Sequence, residues 1–125
     1  MKCHLFYLVV FLSLFVTNNE SQACDCTYLI GLKEAKAVFT CEVLSIKRIE
    51  QPYIFYEVRV RIKEVFKSNE KCVADKELIL SVPSLEVGGC GIPFEIQQQY
   101  IIYAYVEDGK LWSDACTNTR RIIVP

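Results

Sequence analysis

The clearest pattern in the chain lies between Tyr53 and Lys63. Ile54, Tyr56, Val58, Val60 and Ile62 alternate there with Glu57, Arg59, Arg61 and Lys63. A period of two predicts a strand with one face in a core and the other in water. Val65 and Phe66 break the parity, which predicts a bulge or bend at the end of that strand. Upstream, Ala37 to Ile49 is rich in Val, Ile, Leu and Phe with blurred alternation, and predicts a strand joined to the next through a turn at Glu50-Gln51-Pro52. Glu77 to Val82 predicts a third strand, ended by Pro83. Tyr100 to Val106 is apolar on both faces, as a central strand would be. Glu107-Asp108-Gly109-Lys110 carries the Asp-Gly turn signal and folds Leu111 to Ala115 back as a fifth strand. Between Cys26 and Ala37, the spacing of Tyr28, Leu29, Leu32 and Ala35 predicts one short amphipathic helix.

Five strands, with a long connection from Pro83 to Gln99 between the third and fourth, point to an all-β fold. The expected form is a five-stranded Greek-key barrel of the OB type with one or two short flanking helices. A sandwich usually needs about seven strands. The sequence shows no internal repeat, low-complexity tract or linker.

The N-terminus does not fit that pattern. Lys2 precedes Leu5 to Val16, an apolar run broken only by Ser13, and the polar segment after it ends in Ser21-Gln22-Ala23. This is the layout of a secretory signal with a small-x-small cleavage site. The run of about 12 residues is too short for a bilayer span, which needs about 20. A lipoprotein signal would place Leu where Ser21 stands. The expected division is therefore a signal peptide over residues 1–23 and a single secreted, extracellular domain over residues 24–125, beginning at Cys24 and 102 residues long. That length suits one domain.

Cleavage changes the inventory. The whole chain has 14 Lys and Arg against 15 Asp and Glu, and Lys2 and Glu20 leave together. The near-neutral balance argues against nucleic-acid binding driven by bulk charge; Lys47-Arg48 and Arg120-Arg121 read as solvated surface. The one histidine, His4, is also lost. Without an imidazole the mature chain lacks the usual general base and metal ligand, so it is not expected to be an enzyme, and no cofactor is expected. Of seven cysteines, Cys3 leaves and six remain: Cys24, Cys26, Cys41, Cys72, Cys90 and Cys116. An even number in a small secreted chain predicts three disulfides, with the pairing left open by spacing. A structural zinc site would want two close CxxC-type pairs, and Cys24-x-Cys26 is the only close pair.

Several segments together resemble the netrin-like module, and specifically the N-terminal domain of the tissue inhibitors of metalloproteinases. The mature chain opens with Cys24-x-Cys26. The strand segment Val38-Phe39-Thr40-Cys41-Glu42-Val43 follows, and the next strand ends in Lys63-Glu64-Val65-Phe66-Lys67. Cys90-Gly91 sits in the connection after the third strand, and Tyr100-Ile101-Ile102-Tyr103-Ala104 precedes a turn and then Cys116. The resemblance spans essentially the whole mature chain, and lies nearest to single-domain secreted relatives known from invertebrates, parasitic worms included. It implies the bridges Cys24–Cys90 and Cys26–Cys116. The family's third bridge has no counterpart here; Cys41 and Cys72 are additional and by elimination are left to pair with each other.

The resemblance also implies a site. In these inhibitors the amino group and carbonyl of the first cysteine chelate the protease's catalytic zinc. The corresponding wedge here is Cys24, Asp25, Cys26 and Thr27 beside Gly88, Gly89, Cys90 and Gly91, with Cys24 gripping the target's metal through its backbone N and O. Asp25 departs from the Thr or Ser usual in the family. The implied partner is a secreted or extracellular zinc metalloproteinase. The alternative is a non-inhibitory binding module engaging another extracellular or host protein, through exposed aromatics such as Tyr28, Tyr53, Phe94 or Trp112. A monomer is expected, with no membrane contact after signal removal.

Overall fold

The computed structural model describes residues 24–27, 29–68, 72–86 and 89–123. The expected signal peptide therefore lies outside the described residues, as do Tyr28 and Gly88.

The chain is all-β. Its strands are β1 (Ala37–Ile49), β2 (Phe55–Lys67), β3 (Glu77–Pro83), β4 (Gln99–Glu107), β5 (Lys110–Trp112) and β6 (Arg120–Arg121). β1 pairs antiparallel with β2, β2 with β3, and β4 with both β5 and β1. A single parallel bridge, Ser81 opposite Trp112, joins β3 to β5, reinforced by the Ser113 N–H donating to Ser81 O at 3.1 Å. Five strands thus form one ring within a single sheet, in the order β1-β2-β3-β5-β4 and back to β1, with β6 added outside β4.

The expected strands stand where the alternation placed them, with informative differences at their ends. β4 has neighbours on both edges, as expected of a central strand; Tyr100, Ile102 and Ala104 are buried on one face, and Ile101, Tyr103 and Tyr105 are half-buried on the other. On β2, Val58, Val60 and Ile62 face inward while Arg59, Arg61 and Lys63 face water. The parity slips at both ends: Phe55 rather than Ile54 is buried, and Phe66 is 57% exposed. The register with β1 slips to match: Val38 and Phe39 oppose Lys67 and Val65, which leaves Phe66 as the extra residue of a bulge on β2, where the broken parity predicts one; Lys63 is likewise extra on β2, and Leu44 on β1. Bulges of this kind bend and twist the long β1–β2 pair, while β1 also pairs with β4 along its other edge. The β1–β2 turn contains a cis Gln51–Pro52 bond. Asp108 and Gly109 both have positive φ, 53° and 74°, as a two-residue type I′ hairpin requires.

The ring encloses one apolar cluster. Ala37, Phe39, Cys41 and Val43 of β1 meet Val58, Val60 and Ile62 of β2. Leu80 and Val82 of β3, Tyr100, Ile102 and Ala104 of β4, and Leu111 of β5 complete it, with Phe94 and Cys72 added from the connections.

Three expectations need correction. The short helix before β1 does not form, and the described residues contain no helix. Residues 29–36 make only an isolated turn, with Ala35 N–H donating to Gly31 O at 3.0 Å. Ile30 is instead drawn into a parallel bridge with Thr117, and that competing pairing holds the segment extended where the helix would begin. β5 stops at Trp112 because residues 113–119 turn away through their own side-chain hydrogen bonds. The expected Cys41–Cys72 bridge is not made; the two cysteines are buried and not joined. Cys41 is fully enclosed, and burial pushes its thiol up to about 12.

Candidate functional site

Two disulfides knot the N-terminal arm to the ring. Cys24 is bonded to Cys90 and Cys26 to Cys116, with Cα–Cα distances of 5.2 and 5.5 Å. The bridges close chain separations of 66 and 90 residues, for which the entropy of the unfolded chain predicts on the order of 4–5 kcal/mol of stabilisation each. Both pairings are those implied by the resemblance. The bridges touch, with Cys24 Sγ 3.6 Å from Cys116 Sγ. Ala115 N–H donates to Cys90 O at 2.8 Å, and Ile30 N–H to Cys116 O at 2.8 Å, so the backbone fastens the same three segments together.

Gly89 and Gly91 are dictated by close packing. A Cβ on Gly91 would stand 2.4 Å from Pro83 O, and one on Gly89 would stand 1.9 Å from Ser84 O. Both contacts are with backbone that cannot swing aside. Gly91 N–H donates to Ser84 O at 3.1 Å and Gly89 N–H to Glu86 O at 2.7 Å. The segment carrying Cys90 thus lies flat against the chain leaving β3. Arg48 clamps that exit, its guanidinium bonded to Glu86 at 2.8 Å and Glu50 at 2.6 Å.

A second set of groups, not evident from the sequence pattern, fixes Cys116. Asp114 accepts from Cys116 N–H at 2.8 Å through Oδ1 and from the Tyr105 hydroxyl at 2.7 Å through Oδ2. Ser113, fully buried, shares hydrogen bonds with Thr117, Thr119 and the Tyr103 carbonyl at 3.0, 2.6 and 3.1 Å. Thr119 Oγ1 accepts from Tyr103 N–H at 2.8 Å. No buried side-chain polar atom among the described residues lacks a partner. The only signal in the sequence is the density of short polar residues in Ser113-Asp114-x-Cys116-Thr117-Asn118-Thr119, the composition of a turn built on side-chain-to-backbone bonds.

The arrangement brings together Cys24, Asp25, Cys26, Thr27, Gly89, Cys90 and Gly91 on one face. Asp25 and Thr27 are exposed, while the cysteines and glycines are half-buried. Gly89 also borders an open cleft of about 500 Å³ lined by Tyr53, Ser84, Glu86, Tyr105, Glu107 and Trp112. Of the aromatic anchors, Tyr53 is 55% exposed, but Phe94 and Trp112 are core residues at 9% and 7%. Trp112 stacks on Phe55 at 5.4 Å and spends its indole N–H on Glu107 O. The basic pairs are surface, as expected, with Arg48 and Arg121 in exposed ion pairs. No described helix is long and apolar enough to cross a membrane. Neither a family model nor a curated protein matches the chain.

Proposed function

We propose that the exported chain inhibits secreted zinc metalloproteinases, with the α-amino nitrogen and carbonyl oxygen of Cys24 gripping the target's catalytic zinc. The observation that carries this reading is the Cys24–Cys90 bridge, which lays the arm beginning at Cys24 against Gly89–Gly91 with Asp25 and Thr27 left exposed. A segment pinned by two bridges loses little freedom on docking, so less of the interaction energy is spent on ordering. Cleavage after Ala23 is part of the proposal, because only then does Cys24 own a free amino group. That group ligates zinc as the neutral amine, with a reference pKa of about 7.7–8, so protons compete with the metal. The chain needs no catalytic group of its own.

Asp25 supports a second reading, in which the same face is a binding module without inhibitory action. Its exposed carboxylate would approach the glutamate that such proteases carry beside their zinc. Two like charges about 5 Å apart at an effective dielectric near 20 repel by roughly 3 kcal/mol, a loss of about a hundredfold in affinity. A protease whose pocket is cationic would reverse that sign. Asp25→Thr separates the cases. It should tighten binding to an ordinary matrix metalloproteinase by about a hundredfold, and acetylating Cys24 should abolish inhibition by either form. Unchanged binding of Asp25→Thr would remove the repulsion argument. Inhibition that survives acetylation would remove the zinc grip.

A further inference from the structure

Four sulfurs meet where the two bridges cross. Cys24 Sγ lies 3.6 Å from Cys116 Sγ and 4.0 Å from Cys26 Sγ. The Sγ atoms of Cys24, Cys90 and Cys116 all lie within 4.8 Å of one another. Zinc held by four thiolates is tetrahedral with Zn–S near 2.3 Å, which sets sulfur–sulfur edges of about 3.8 Å. The two distances measured between the bridges already bracket that edge, so only the bonded pairs need to part.

We propose that, when both bridges are reduced, the thiolates of Cys24, Cys26, Cys90 and Cys116 form a tetrahedral zinc site. Each bridge takes two electrons and two protons from a dithiol reductant, which leaves as its own disulfide, and yields two cysteine thiols. Zinc then displaces the four thiol protons to solvent, giving a zinc–tetrathiolate centre of net charge minus two. The sulfurs are half-buried rather than sealed in the core, so reductant and ion can both reach them.

The frame that gathers these sulfurs does not depend on the bridges alone. Ala115 N–H holds Cys90 O, Ile30 N–H holds Cys116 O, and Asn118 N–H holds Ile30 O at 2.9 Å. Asp114 holds Cys116 N–H. These bonds contain no sulfur, and they tie together the three segments that carry the four cysteines. Sequence spacing hides the site, because Cys24-x-Cys26 is the only close pair and the second pair is assembled by the fold. Cys41 belongs to the ring's core and takes no part. The same four positions therefore serve as disulfides under oxidising conditions and as a metal clip under reducing ones. This inference does not rest on the protease reading.

The test is metal titration of the purified exported chain, reduced with a phosphine under inert gas. Cobalt(II) alone should produce the visible bands of tetrahedral thiolate coordination, saturating at one ion per chain, and zinc should bleach them. The bands should be absent from the oxidised chain, lost in Cys90→Ser and Cys116→Ser, and kept in Cys41→Ser. Serine variants also lose a bridge, so a second measurement is near-ultraviolet circular dichroism of the reduced wild-type chain with and without zinc. Zinc should restore the tertiary signal of the oxidised form. Absence of bands at one equivalent, bands that require Cys41, or bands undiminished in denaturant would each overturn the proposal, the last by revealing an unstructured chelate.

Discussion

Replacing Gly91 by Ala tests the idea that the Cys90 segment is held by backbone against backbone. The added methyl would sit 2.4 Å from Pro83 O and 2.9 Å from both Ser84 C and Ser84 O, where ordinary contact begins at 3.4 Å. About 1 Å must be recovered, and Pro83 is fixed by its pairing with Phe55 on β2. The segment therefore has to lift away, stretching the Gly91 N–H bond to Ser84 O. Overpacking of this kind costs about 1–3 kcal/mol, and a weakened hydrogen bond adds about 1 kcal/mol, so a loss near 3 kcal/mol is expected. Gly109→Ala is the control: its φ is +74° and nothing lies within 4 Å of the new methyl. Conformational strain alone should cost it about 1–2 kcal/mol. The assay is denaturant unfolding with disulfides intact, followed by fluorescence of the single Trp, Trp112. A Gly91→Ala chain within about 0.5 kcal/mol of wild type, the ordinary range for surface changes, would refute the packing argument. So would a larger loss for Gly109→Ala.

Other perturbations probe the rest of the account. Asp114→Ala removes two hydrogen bonds to a carboxylate and should cost about 3 kcal/mol in the same assay, with Asp114→Asn recovering part of it; equal losses would show that charge and bond count are immaterial there. Cys41 gives an alkaline signature, because its thiol is pushed from 9.0 up to about 12 in the folded chain. The unfolded chain releases that proton first, so the contribution is fully present below pH 9 and falls by about 1.4 kcal/mol per pH unit from there until the folded thiol titrates. Stability measured between those limits should show one proton less of pH dependence in Cys41→Ala, and an unchanged slope would contradict the burial. For the proposed zinc grip, apparent affinity should rise about tenfold from pH 6 to 7, as the α-amino group sheds its proton. A flat inhibition profile over that range would place the contact elsewhere.

The strand ladder was legible because alternation is enforced wherever one strand face is buried and the other wet, as along Val58, Val60 and Ile62. The ends of strands are set by partners and were less so, although the parity break at Val65 and Phe66 did mark the bulge that leaves Phe66 unmatched in the β1 register. The pre-β1 helix failed for a related reason. Leu29, Leu32 and Ala35 have helical spacing, yet Ile30 finds a tertiary partner in Thr117 and two bridges hold the preceding residues straight. β6 is two exposed arginines, paired to Tyr100 and Ile101, and no periodicity announces so short a strand. At the candidate site, the cysteines were readable, and both observed pairings agree with those implied by the resemblance. The glycines carried no readable reason until the closeness of Pro83 and Ser84 supplied one. Asp114 and the Ser113–Thr119 hydroxyls show in the sequence only as a density of short polar residues, because their role depends on which carbonyls and amides the turn brings within reach. The elimination that leaves Cys41 to pair with Cys72 fails, because its place on the inner face of β1 makes Cys41 a core residue.

The most direct test of the central claim is an inhibition titration with chain whose first residue is verified as Cys24, run beside a chain that retains Ala23. The panel pairs a matrix metalloproteinase with an astacin-type enzyme, whose difference should expose what Asp25 selects. Stoichiometric inhibition of at least one enzyme by the first chain and none by the second is the predicted result. Equal inhibition by both chains, or none by either at micromolar concentration, would contradict the zinc grip.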